Sequence, residues 1–390
     1  MGTLFAQAEV RLQFPALREY TYLDVAATAP LAEPVREAVA SYLDYRMSGA
    51  YVPQLWAGRI EEVRGKAARL LGASADEIAF VPNTSGAVNA VANSLSWREG
   101  DGVVLAPAVE HPNNVYAWLN LRSRGVRVTA APASGGVLTP DGVERVADGR
   151  TRVVAVASVS YCTGARAPLA ELGELCRQRG WFLFVDAVQS LGVLALDVRR
   201  TPVGALGAGT NKSLLGLPGL GLLYFRRERV EEAQPPSLAD PGAQAPPEAL
   251  ARGVLEYRLA AGARRFEMGH YNLPAVCALG AALDLILGVG VPLIERHVLA
   301  LSARLTDGLL DLGYSLLSPR DRDRMSHIVL FREPPGSGLS VEEISRELDR
   351  ERIRHSVRLG AVRVSFHMYS SADDVDRLLE VVGRLVRRSR

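Results

Sequence analysis

From about residue 77 to residue 225, short apolar runs alternate with stretches of helical periodicity, and this alternation restricts the chain more than any other feature it has. A strand that reads as a continuous apolar run must be covered on both faces, and a helix between two such strands supplies the cover. The pattern therefore predicts an α/β fold with a mainly parallel, doubly wound sheet. The predicted strands are 77–81, 103–106, 126–131, 153–157, 182–185 and 221–225. The connection from Asp186 to the last of these carries little helix, which allows that strand an antiparallel direction.

After this core, a proline-rich stretch with little periodicity, 233–247, is expected to be a surface excursion and a mobile loop near the site. A helix over 273–288 then leads through 291–297 into a C-terminal unit with strands 328–331 and 362–366 and helices 341–351 and 372–386. The expected organisation is an N-terminal segment, 1–20, packing near a small C-terminal α+β domain, 286–390, with a large domain, 21–285, between them. At 390 residues and 48% hydrophobic content the chain can bury the cores this requires.

The charge balance, 45 basic against 43 acidic residues, gives a net charge of +2 and no large positive field, which argues against nucleic acid as a partner. Cys162, Cys176 and Cys277 are too few and too scattered for a disulfide framework or a zinc site, so a reducing compartment and no metal are expected. The N-terminus lacks a basic region followed by an apolar stretch, and no segment approaches 18 consecutive apolar residues. A cytoplasmic protein without a membrane partner is the expectation.

Only two of the basic residues are lysines, Lys66 and Lys212. Lys66 falls in a run whose charges and apolar residues repeat at helical spacing, and reads as part of a solvated helix face. Lys212 lies in the small-residue turn Gly207-Ala208-Gly209-Thr210-Asn211-Lys212-Ser213, after the apolar run that ends in Asp186. A strand closing on an acid, followed by a lysine on a glycine-rich turn, suits an enzyme that holds pyridoxal phosphate (PLP) as an imine and keeps the pyridine nitrogen protonated. Arginine cannot do this, because its guanidinium stays protonated. A nucleotide-binding P-loop is excluded, since Asn211 stands where that motif requires glycine.

Two more clusters stand at strand ends. Asn83-Thr84-Ser85-Gly86 opens a helix and reads either as a phosphate cradle or as an ordinary N-cap. Glu110-His111-Pro112-Asn113-Asn114 presents an imidazole that would lie on a pyridine ring, transfer protons near it, or simply face solvent.

Taken in this order, and with Tyr22-Leu23-Asp24-Val25-Ala26-Ala27-Thr28 near the start, these segments resemble the class V aminotransferase family of fold type I PLP enzymes. That family includes cysteine desulfurases, selenocysteine lyases and isopenicillin N epimerase-like proteins. The likeness covers roughly residues 20–385. It implies Lys212 as the imine-forming lysine, Asp186 as partner of the pyridine nitrogen, Gln189 near the phenolic oxygen, His111 stacked on the ring, and Thr84 and Ser85 on the phosphate. Arg363 matches the arginine that receives the substrate's α-carboxylate, with Tyr161 and Asn114 as further substrate-side candidates. The segment Phe266-Glu267-Met268-Gly269-His270 looks like the family's Phe-Glu-x-Gly-Thr, with His270 in place of threonine. It implies a homodimer whose active site lies at the subunit interface.

Departures from the family bear on the reaction. Desulfurases carry a sulfur-accepting cysteine on a C-terminal loop, but this chain has none after Cys277, and Cys162 reads as a small buried filler. Tyr161 and Val25 stand where the family usually has asparagine, and Gly209 and Asn211 replace the serine and histidine before the lysine. Phosphate contacts are therefore expected to shift, onto Thr210 and Asn211 among others. The resemblance implies a PLP-dependent enzyme acting on an amino acid through a Cα carbanion. β-Elimination from an S-substituted cysteine is the leading expectation. Epimerisation or transamination is the alternative, and a scaffold that has lost catalysis a third.

Overall fold

The computed structural model describes residues 5–50, 52–245, 248, 251–253 and 255–389. Its centre is a seven-stranded sheet built from β1 (Ile78–Val81), β2 (Gly102–Leu105), β3 (Arg127–Ala130), β4 (Thr151–Ala157), β5 (Phe182–Asp186), β6 (Ala205–Gly209) and β7 (Gly221–Phe225). The spatial order is β1-β7-β6-β5-β4-β2-β3. All neighbours are parallel except β7, which runs antiparallel to both β1 and β6. Every residue of β5, β6 and β7 is buried, as two covered faces require.

One strand was not expected. β6 occupies the stretch between Asp186 and Lys212 that reads as a connection without structure of its own. Its sequence, Ala-Leu-Gly-Ala-Gly, has no β-branched or aromatic residue to announce a strand. Small residues are what the site demands: a Cβ at Gly207 would lie 2.6 Å from Ala87, on the helix packed over this strand. That helix is α3 (Thr84–Ser94), preceded in the chain by α1 (Glu33–Met47) and α2 (Pro53–Leu71) and followed by α4 (Pro112–Leu119) and α5 (Leu169–Arg179).

α6 (Leu273–Val289) is apolar on nearly all sides because it packs against both α1 and α2. It turns sharply into α7 (Val291–Asp311), so the expected linker over 291–297 is instead the first two turns of a 21-residue helix, with Pro292 in its first turn where a missing N–H costs nothing. Among the described residues no single helix is long and apolar enough to cross a membrane. A four-stranded antiparallel sheet follows, from β8 (Ser315–Leu316), β9 (Ile328–Arg332), β10 (Ser356–Arg358) and β11 (Ala361–Ser365), ordered β8-β9-β11-β10. Helices α8 (Val341–Arg350) and α9 (Ala372–Ser389) pack against each other.

The N-terminal residues tie onto this small sheet's side of the molecule. Gln7 donates to the carbonyls of Tyr369 and Ser370, Arg11 pairs with Asp374 at 2.7 Å, and Phe5 meets the ring of His297. The proline-rich excursion is described as far as residue 245, where Ala243–Gln244 pairs with Arg258–Leu259. Pro246 and Pro247 lie outside the described residues. Lys66 belongs to α2 and bridges Glu62 and Asp284, each at 2.8 Å, on a helix face as its periodicity predicts.

Candidate active site

The carboxyl ends of β1, β2, β5 and β6 converge, and the loops leaving them carry the chemistry-bearing residues. This is where open α/β sheets bind their ligands. Asp186 is the last residue of β5 and is buried; its Oδ1 accepts the Val188 amide at 3.0 Å. Burial holds its carboxyl above the ordinary range, and the Lys212 charge opposes that shift. Lys212 follows β6 by three residues and is half-buried. Burial pulls its ammonium below the ordinary lysine value; Asp186 works against this, and Arg363 and Arg358 reinforce it. The turn is held tightly: the Lys212 carbonyl accepts from Leu215, which sits at φ 57°, a backbone conformation that non-glycine residues adopt at a cost of about 1–2 kcal/mol.

His111 caps the N-terminus of α4, with Nδ1 accepting the Asn113 amide at 3.2 Å. Burial and then the nearby Lys212 charge lower its pKa, so the imidazole stays neutral at pH 7 and offers its Nε2 side to the site. The Tyr161 ring meets it edge-on, with centroids 5.2 Å apart. Thr84 and Ser85 open α3, which Asn83 caps as an ordinary N-cap, its Oδ1 accepting the Gly86 amide at 2.9 Å; the amides of Thr84 and Ser85, in the first turn, have no partner within the helix and can receive an anion. The Thr84 hydroxyl accepts the Gly209 amide at 2.8 Å, tying α3 to the end of β6. The Asn211 side chain faces the same small space, which a Cβ at Gly209 would fill, 3.2 Å from Thr84 and 3.5 Å from Asn211.

Arg363, on β11, is 1% exposed. Its Nε donates to the Ser356 hydroxyl at 3.1 Å, Nη1 donates to the Tyr161 carbonyl at 3.2 Å, and Nη2 stands 3.5 Å from Asp24 without a hydrogen bond. Ser356 in turn donates to Asp24 at 2.9 Å. Asp24 and Ser356 were not singled out from sequence, although both lie in segments read closely; their role depends on contacts across more than 300 residues.

Two expected site residues, Thr210 and Asn114, turn out to have other work, and a third, His270, stands apart from Lys212 within one chain. The Thr210 hydroxyl is fully buried and shares its one proton between the carbonyls of Leu217, at 2.5 Å, and Leu220, at 3.1 Å, so it shapes the Lys212 turn and does not face a phosphate. Asn114 is 1% exposed; its Nδ2 donates to Glu110 at 2.8 Å and its Oδ1 accepts from Trp118, which makes it a support beneath His111 and not a substrate ligand. His270 is exposed on the wall of a cavity of about 450 Å³ that also includes Gly86, Asn89 and Asn272 but not Lys212, Asp186 or His111. Two residues overlooked in the sequence support the site from behind. Glu110 accepts the Ala157 amide and the Asn114 amide group, each at 2.8 Å. His367 accepts the Met368 amide on Nδ1 and donates from Nε2 to the carbonyl of Ser213, next to Lys212.

The residues fit PLP. Gln189 donates Nε2 to the Ala26 carbonyl at 3.0 Å, but its buried Oε1 has no partner, and neither has the buried Nη2 of Arg363. Orphaned buried polar atoms of this kind, beside a helix N-terminus, an acid and a lysine of lowered pKa, are expected where a polar ligand belongs. Lys212 would hold the carbonyl carbon, Asp186 the pyridine nitrogen, Gln189 the phenolic oxygen, and the first turn of α3 the phosphate.

Comparison with known proteins gives the family and the fold. The family model Aminotransferase class-V matches residues 21–378. The chain is 32% identical over 399 residues to a probable cysteine desulfurase of Methanothermobacter thermautotrophicus, covering 97% of each chain. Among solved structures it is similar to a cysteine desulfurase of Thermococcus onnurineus NA1, with TM-score 0.88, 29% identity and full coverage of both chains. It also shares its fold with a variant of C-DES that has glycine covalently linked to its PLP cofactor, with TM-score 0.86 and 23% identity over 96% of this chain and 98% of that one.

Proposed function

The chain belongs to the class-V aminotransferase family and is a PLP-dependent enzyme, and from that premise we propose that it breaks the Cβ–S bond of an S-substituted cysteine, releasing a thiol, pyruvate and ammonia with uptake of one water. The observation that carries the reading is the β10–β11 hairpin. It bears Arg363 and closes in a two-residue turn, Leu359-Gly360, with both residues at positive φ. A turn this tight leaves no room for a thiol-bearing loop beside the site, and the sequence has no cysteine after Cys277. Cys162 is buried, and burial raises its thiol pKa, which suppresses the nucleophilic thiolate. Without an enzyme thiol to accept it, the sulfur leaves on its own substituent.

Bound PLP supplies an electron sink for the pair left at Cα. The protein does the rest. Arg363, already aligned by Ser356 and Asp24, takes the α-carboxylate through its free Nη2. That anchor fixes which substituent of Cα faces Lys212, whose lowered pKa makes its amine available to remove the Cα proton and deliver it towards the departing sulfur. Neutral His111 excludes water from one side of the site without adding a charge to it.

Product analysis by mass spectrometry, with PLP-loaded protein and an S-alkyl L-cysteine in heavy water, tests this. Pyruvate and free thiol are expected, and both are expected to vanish in Lys212→Ala. Intact substrate carrying deuterium at Cα would replace the reading with epimerisation or transamination.

A homodimer in a reducing, cytoplasmic setting belongs to the same reading. Met268 and His270 are exposed on a segment clamped from within by Glu267, which pairs with Arg64 at 2.6 Å and accepts the Phe80 amide at 2.7 Å. Light scattering is expected to give twice the 42.0 kDa chain mass; a monomer in the active fractions would overturn this.

A further inference from the structure

Arg363 is not the only guanidinium on its hairpin. Ser356 lies opposite Arg363 and Arg358 opposite Ala361 in the β10–β11 register. Side chains two residues apart on a strand point to the same face. The Ser356 hydroxyl sits between Asp24 and Arg363, so Arg358 faces the site from one step nearer its rim. Its charge acts on Asp24, His111, Tyr161, Lys212 and Arg363 alike.

Unlike Arg363, Arg358 forms no ion pair among the described residues. It is half-buried, and its Nη1 donates to the neighbouring Val357 carbonyl at 2.8 Å. Arg363 shares Asp24 and keeps Nη2 for the α-carboxylate, which leaves the Arg358 guanidinium, nearer the rim of the same positive region, with no carboxylate partner of its own and open to a second anion.

We propose that Arg358 is a specificity-determining residue that binds a carboxylate carried on the sulfur substituent of the substrate. The preferred substrates are then S-substituted cysteines anionic at both ends, the α-carboxylate on Arg363 and the distal one on Arg358. This rests on the lyase reading for the identity of the amino acid but is read out separately from it.

The test compares S-carboxymethyl-L-cysteine with its neutral isostere S-carbamoylmethyl-L-cysteine on the PLP-loaded enzyme. The apparent Kd of each is taken from the cofactor absorbance change on rapid mixing, and pyruvate is measured in the same samples. One charge-assisted contact predicts that the carboxymethyl form binds about tenfold to a hundredfold more tightly. Arg358→Gln is expected to bring the ratio close to one by weakening only the carboxymethyl form, and Arg358→Lys to restore part of it. A wild-type enzyme that does not discriminate, a ratio that survives in Arg358→Gln, or equal weakening of both ligands would overturn the assignment. Discrimination without pyruvate would overturn the lyase reading and leave Arg358 in its role; pyruvate from both compounds at equal Kd would do the reverse.

Discussion

Glu110 takes no direct part in the chemistry, yet it is the carboxyl whose surroundings most clearly set a pH response. Burial pushes its pKa up to about 7, outweighing the Ala157 and Asn114 hydrogen bonds that favour the charged form. Below the ordinary value of 4.5, folded and unfolded chains both hold the proton and nothing is lost. Between 4.5 and about 7 the unfolded chain releases it while the folded one keeps it, so stability falls as pH rises, and above 7 the loss is complete. Glu110→Gln cannot titrate. Its melting temperature relative to wild type is expected to rise between pH 5 and pH 8, by an amount corresponding to a few kcal/mol at most. A constant difference across that range would show that Glu110 ionises normally. At this scale the sequence speaks plainly about residue types and strand ends, as at Lys212, Asp186 and His111. It is silent about direction. Thr210 and Thr84 are both hydroxyls near a glycine-rich turn, and only the folded backbone turns the first inward onto Leu217 and Leu220 and the second onto Gly209.

Among the elements, the central strands with β-branched and aromatic residues are legible because their side chains bury on both faces, and β6 is not, because its small residues are chosen by the close approach of α3. The β10–β11 hairpin shows a related limit. Its turn places Leu359 at φ 49° and Gly360 at φ 68°, a pair of left-handed residues that suits Asn-Gly far better than Leu-Gly. Leu359 is 62% exposed, so its side chain returns little by burial. Leu359→Asn is therefore expected to stabilise the fold by about 1 kcal/mol, measured by thermal or urea unfolding. A loss of stability would mean that the Leu359 side chain has a buried contact in the assembled protein.

Across the whole molecule, the site depends on how the large and small sheets meet. Gly164, just beyond the end of β4, adopts φ 68° and packs so closely on the small sheet that a Cβ would lie 2.3 Å from the Ile328 carbonyl. Ser326 donates to the Gly164 carbonyl at 2.6 Å, and Ser318 to that of Thr163 at 2.8 Å. Gly164→Ala must move backbone against backbone, and is expected to destabilise by roughly 1–3 kcal/mol or more in a denaturant titration. Because Tyr161 and Arg363 meet across the same junction, the substrate KM is expected to rise with it. Unaltered stability and KM would show the junction to be compliant.

The alternation of apolar runs and helices by itself determined a doubly wound sheet, and the order of Asp186 and Lys212 pointed to PLP chemistry, because apolar period and residue type are local properties. Tertiary structure alone decided which polar groups are left without partners. Arg363 is oriented by Asp24 and Ser356, Gln189 by Ala26, and Lys212 by a turn that His367 braces. Each of those contacts joins segments distant in the chain, whose distances and directions are fixed only when the two sheets and the N-terminal loop pack together.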